Sequence, residues 1–182
     1  MELEQLKYPI GKYSKPESIT SSILNSWIDD IESFPDQLHN LVEDLTEEQL
    51  NWRYRPGGWT IKQVVHHCAD SHINSIIRFK LALTEDSPII RPYFEDLWAE
   101  TADATSDNIY YSLKILDGLH KKWVVLLRSL SEEQMERVYF HPEHNKHFTI
   151  RETVGTYSWH SRHHLAHIQQ AIDHNGEYGN VI

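Results

Sequence analysis

The chain has one cysteine, Cys68, so an internal disulfide is excluded and a reducing compartment is expected. Long apolar runs are absent: none approaches the roughly 18 residues that a membrane span needs. The first residues, Met1-Glu-Leu-Glu, are acidic and no apolar stretch follows, so no signal peptide is expected and the cytoplasm is the expected location. Positive charge is scarce. With 17 Lys and Arg against 27 Asp and Glu, the net charge is −10, and no Lys/Arg block occurs. A nucleic-acid partner is therefore not expected, because such proteins gather Lys and Arg on one face. The hydrophobic share of 40% is ordinary, so a core can form, and 182 residues suit one compact domain over 1–182.

What the chain does have is histidine. There are thirteen, most of them within 66–72 and 141–174. The densest stretch is W-H-S-R-H-H-L-A-H-I, Trp159 to Ile168. It reads as two i,i+4 pairs, His160/His164 and His163/His167.

Residues 1–17 hold Pro, Gly and Lys without periodicity and are expected to form an extended arm. From Ser18 or Thr20, apolar residues at three-to-four spacing (Ile23, Trp27, Ile28, Ile31, Phe34, Leu38, Leu41, Val42) predict a first helix, kinked or broken at Pro35. A second helix is expected from Thr60 to about Leu83, a third from about Ser106 to Leu130, and a fourth from Thr149 to about His174, stopped by Asn175-Gly176. Four long helices give an all-α, four-helix bundle. The connection between the second and third, residues 85–105, is long and aromatic, and is expected to fold over the bundle mouth.

Two segments repeat. Leu45-Thr-Glu-Glu-Gln-Leu50 returns as Leu130-Ser-Glu-Glu-Gln-Met135, and Trp59-Thr-Ile-Lys-Gln63 returns as Phe148-Thr-Ile-Arg-Glu152. The first pair predicts a short capped turn and the second a capping box, Thr60 with Gln63 and Thr149 with Glu152. Two structural halves, each a helix pair, are expected.

At ~100° per residue from the capping Thr149, the apolar face of the fourth helix centres near ~110°, with His164 near ~60° and His160 near ~20°. His167 and His163 fall further round, on a more polar side. The pair that points inward is thus His160 and His164. Two such imidazoles can bind one metal ion, as in H-E-x-x-H sites, but here His160 is followed by Ser, so the metalloprotease glutamate is missing. A third ligand must come from another helix. On the second helix His66 falls on the far side, while His67 lies at an edge and His72 near the centre of a broad apolar face, and periodicity does not choose between them. His141, His144 and His147 are expected in an exposed loop before the fourth helix, with lining of the bundle mouth as the alternative.

Together T60-I-K-Q-V-V-H-H67-C-A-D-S and H160-S-R-H-H164-L-A-H-I resemble the DinB-like superfamily, and especially its YfiT-type metal-dependent hydrolases; the bacillithiol S-transferases are similar as well. The resemblance runs over nearly the whole chain. It implies a four-helix bundle, commonly a homodimer, holding one divalent metal on three histidines. Residue by residue it assigns His67, His160 and His164. His167 stands where many members carry Gln, a departure that either adds a hydrogen-bond donor behind the ligands or changes nothing.

Three neutral imidazoles leave the charge of the ion uncancelled and coordination positions open, the layout of a catalytic site. A metal-activated water would then make a hydrolase of a small-molecule substrate; a thiolate in the same position would make a thiol transferase. A non-catalytic metal-binding bundle is the third reading. Zinc is the expected ion on general occurrence, with nickel as the other candidate. Asp70, one turn after His67, and Tyr157, one turn before His160, are the catalytic candidates beside the metal; surface and core roles compete for them. Cys68 is expected to pack, and Arg162 to point outward. Of Trp52, Trp59, Tyr93 and Trp98, some wall a pocket and at least two fill the core or loop interface.

Overall fold

The computed structural model describes residues 2–179. Four long helices dominate: α2 (Ser21–Val42), α4 (Ile61–Thr84), α6 (Tyr110–Ser129) and α8 (Ile150–Asp173). Short helices α1 (Leu3–Lys7), α3 (Glu47–Leu50), α5 (Glu95–Trp98) and α7 (Glu132–Met135) punctuate the connections. Helix α2 packs on α6 and α8, and α4 packs on the same two. Helices α2 and α4 therefore lie across one diagonal of the bundle and α6 and α8 across the other, which lets α4 and α8 meet side by side.

The repeated segments have the expected chemistry. Thr46 and Ser131 cap α3 and α7, Thr60 and Thr149 cap α4 and α8, and all four helices close a capping box. Each box satisfies orphan N–H groups at a helix start. The repetition extends to the lead-in. Ile61 N–H donates to Trp52 O and Ile150 N–H to Arg137 O, both at 2.9 Å, after an isolated bridge Arg53–Thr60 in the first half and a full hairpin in the second. That hairpin, β1 (Val138–His141) with β2 (Lys146–Thr149), pairs Val138 with Thr149 and His141 with Lys146. It falls where only a loop was expected.

The helix starts and stops expected at Thr20, Thr60, Thr149 and His174 are found. The third begins later, at Tyr110, because the Asn108 side chain accepts from Tyr110 N–H at 3.2 Å and opens the helix there. Pro35 does not break α2, which runs through it. The arm is not wholly extended, since Leu3–Lys7 is helical with Leu6 fully buried.

The core lies in two apolar clusters. One gathers Ile28, Phe79, Trp123, Leu127 and Val154; the other Phe34, Leu38, Val64, Leu116 and Ile168. The connection after α4 folds back over one end. Ile90 N–H donates to Phe140 O at 3.1 Å and Phe140 N–H to Pro88 O at 2.9 Å, which ties the connection to the hairpin.

Candidate metal centre

His67 lies in the second turn of α4, and His160 and His164 lie one turn apart on α8. Because α4 and α8 are neighbours, one imidazole nitrogen from each ring falls within 4.8 Å of the other two. His67 Nε2 and His160 Nε2 are 3.2 Å apart. The His67–His164 and His160–His164 ring centroids are 4.9 and 4.4 Å apart. A tetrahedral zinc ion with bonds of ~2.0–2.1 Å sets neighbouring ligand atoms about 3.3–3.4 Å apart, so the closest pair already has the spacing of a tetrahedron edge.

The electrostatics suit a cation as well. Burial, with the charge of His163 second, holds His67 down at about 4. Burial foremost, then the neighbouring imidazoles, hold His160 and His164 well below the usual histidine value. All three rings are neutral at pH 7, the state that binds metal. Among the described residues no carboxylate joins the cluster.

The three rings form the floor of a cavity of about 490 Å³. Trp59 and Tyr93 wall it, as do Tyr54 and Trp159, while Trp52 and Trp98 do not. Lys7, Arg55 and Arg78 bring positive charge to the lining, and Glu95 and Glu143 bring negative charge at the end formed by the 85–105 connection and the hairpin. Burial, and then Asp96 and Glu143, raise Glu95 above the usual carboxylate value.

His72 is fully buried and stands behind the cluster, with its Nε2 3.1 Å from His160 Nδ1. His66 points away, to Ser112 Oγ at 2.8 Å and Ser106 O at 3.0 Å. Arg162 pairs with Asp30 on the outside at 3.2 Å. Cys68 is fully buried, and burial pushes its thiol far up, so packing is its role.

Several expectations need correction. Asp70 makes no side-chain hydrogen bond to His67 and does not line the cavity; one turn of three residues leaves it ~60° round the helix. Tyr157 does line the cavity, but its hydroxyl donates to Ser71 O at 3.2 Å and is thereby anchored. His163 and His167 are buried, not on a polar face, because the arm and the 52–60 turn cover that side of α8. Tyr54 stacks on His167 at 3.8 Å, Tyr8 stacks on His163 at 5.9 Å, and Lys7 O accepts from His167 Nε2–H at 3.1 Å. His141 is buried and lines the cavity with His144, whereas His147 stays exposed. Ser71 was not anticipated. Its Oγ lies 3.5 Å from His160 Nε2, and its place four residues after His67 was the available signal.

The diagonal bundle, the capped α4 and α8 and the three converging imidazoles define one class: the chain belongs to the DinB superfamily, whose family model matches residues 30–168. It is similar to a protein of Oceanobacillus iheyensis named "Putative metal-dependent hydrolase", 51% identical over 162 residues that cover 89% of this chain and 93% of that one. It is also similar to YfiT of Bacillus subtilis, which carries the same description, at 47% identity over 165 residues covering 91% and 93% of the two chains. The solved structure of YfiT, titled a probable metal-dependent hydrolase with an unusual four-helix bundle topology, superposes with a TM-score of 0.91 at 45% identity, over 96% of this chain and 99% of that one.

Proposed function

We propose that the protein is a metal-dependent hydrolase that holds one divalent cation on His67, His160 and His164 and acts on a small substrate bound in the cavity above them. The observation that carries this reading is the convergence of three neutral imidazole nitrogens within 4.8 Å at the floor of a cavity open to solvent. A divalent ion on three imidazoles supplies Lewis acidity and brings water ionisation toward neutral pH. Zinc is the ion we assign, with nickel as the competitor, since imidazole serves both.

The chain supplies the rest. Trp59 packs against His67, ring centroids 4.7 Å apart, and keeps water from that side of the ring. Tyr157 fixes Ser71, which places a hydroxyl beside His160. Lys7, Arg55 and Arg78 form no ion pair within 4.0 Å among the described residues, so they are free to meet acidic groups on a substrate. That same positive lining favours a second reading, transfer of an anionic low-molecular-weight thiol such as bacillithiol to an electrophile. We also place the protein in the cytoplasm, where the free thiol of Cys68 persists, and as a homodimer, for which the exposed Ile89, Phe94 and Leu97 offer apolar surface.

The test is a panel of ester, amide and phosphoester substrates beside a thiol-conjugation assay, run on zinc-loaded wild type and on His160→Ala. Hydrolysis by wild type alone supports the proposal. Conjugation without hydrolysis transfers support to the second reading, and equal rates in both proteins reject both.

A further inference from the structure

A hydrogen-bonded line of side chains runs from the middle of α2 to the metal centre. It starts at Pro35. Proline has no N–H, so the carbonyl of Ile31, four residues earlier, loses its helical donor. His120 Nδ1 lies 2.6 Å from that oxygen. His120 Nε2 lies 2.7 Å from His72 Nδ1, and His72 Nε2 lies 3.1 Å from His160 Nδ1. His72 and His120 are 0% and 1% exposed, and the rings they touch are Phe34, Trp123, Tyr157 and other imidazoles, with no carboxylate of the described residues paired to either. Imidazolium ions there would be buried without a counter-ion, so each ring carries one proton.

The direction of every bond then follows from one end. A carbonyl oxygen only accepts, so His120 Nδ1 carries the proton and its Nε2 is bare. His72 Nδ1–H must donate to it, which leaves His72 Nε2 bare. His160 Nδ1–H donates in turn, which leaves His160 Nε2 with a free lone pair on the side where His67 Nε2 stands 3.2 Å away. A second, shorter line obeys the same logic. Lys7 O accepts from His167 Nε2–H at 3.1 Å, so His167 Nδ1 is bare and accepts from His164 Nδ1–H at 3.4 Å. His164 Nε2 is then bare too.

We propose that these two imidazole chains, Ile31–His120–His72 and Lys7–His167, are built to fix His160 and His164 in the tautomer that presents Nε2 to a metal ion. The inference rests on the reading that His160 and His164 hold the cation. It makes His72, His120 and His167 positioning residues, gives Pro35 the task of freeing an acceptor, and gives the arm a part in the site. Partners of this kind behind metal-bound histidines change metal affinity by about 10–100-fold when removed.

The experiment has two parts. In metal-stripped, 15N-histidine-labelled wild type, long-range proton–nitrogen correlation spectra are expected to show Nδ1–H tautomers for His72, His120, His160 and His164, and Nε2–H for His167. Zinc affinity is then measured by chelator competition for wild type, His72→Leu and His72→Gln. Leucine has no acceptor and is expected to weaken zinc about 10–100-fold. Glutamine can accept from His160 Nδ1–H through its carbonyl and is expected to restore most of the affinity, an outcome that packing alone would not give. An Nε2–H tautomer at His160 overturns the inference even if the leucine variant fails to fold. Zinc binding indifferent to residue 72 overturns it alone, whereas a wild type that takes up no zinc overturns the metal-site reading and the inference with it.

Discussion

His67 Nε2 and His160 Nε2 face each other at 3.2 Å although 93 residues of chain separate them. One sits on α4 and the other on α8, so an ion held between them adds a staple to two helices already joined by packing and by the Tyr157–Ser71 and His160–His72 hydrogen bonds. Metal should therefore raise stability as well as enable chemistry. At zinc about 100-fold above its dissociation constant, unfolding should cost about 2.7 kcal/mol more than without metal. Thermal melts with and without zinc check this, and His67→Ala or His160→Ala should erase the difference between its own two melts.

Gly155 marks where the arm docks on α8. A Cβ there would sit 2.6 Å from Tyr13 Oη and 2.7 Å from two ring carbons of Trp27. Both aromatic side chains must shift to admit it, so Gly155→Ala should cost about 1–3 kcal/mol through overpacking, despite the better helix propensity of alanine. Urea denaturation reads it. A variant more stable than wild type would show that the arm is loosely seated.

Asp70 gives a pH signature. Burial, and secondarily Asp103, raise its carboxyl from 3.8 to about 6. The folded state thus binds this proton more tightly than the unfolded state. The resulting stabilisation is full below pH 3.8 and is lost as pH rises through about 6. Asp70→Asn should remove that decline and be more stable at pH 7 by about 1 kcal/mol, the half-exposed position reducing the full effect. Denaturation midpoints at pH 4, 5, 6 and 7 should converge on the acid side; parallel curves would contradict the assignment.

Cys68 should resist alkylation in the native protein, because it is fully buried and its thiol is held protonated. Iodoacetamide should label it only on unfolding. Fast native labelling would place the thiol in reach of the cavity and reopen a nucleophilic role for it.

The sequence made the long helices legible because their apolar spacing and capping boxes are local properties. Thr60 with Gln63 and Thr149 with Glu152 announce α4 and α8 without any tertiary information. The inward placement of His160 and His164 came from the same periodicity. What periodicity leaves unread is whatever a distant segment covers. His163 and His167 lie on a face that looks polar along α8, yet Tyr8, Lys7 and Tyr54 bury it from elsewhere in the chain. The four-residue strands β1 and β2 are too short to show alternation and contain two histidines, so they read as loop. His67 and His72 both face inward, five residues apart; only the contact of α8 with α4 puts one among the converging nitrogens and the other behind His160. His120 is isolated in its helix, and its partnership with the carbonyl four residues before Pro35 joins two helices that sequence spacing does not relate.

The most direct test of the central claim is zinc-edge X-ray absorption on the zinc-loaded protein at one equivalent per chain. Three imidazole nitrogens at ~2.0–2.1 Å are expected in wild type, with the imidazole signal reduced by one ring in His164→Ala. A shell with fewer than two imidazoles in wild type, or one unchanged in the variant, would contradict the site built on His67, His160 and His164.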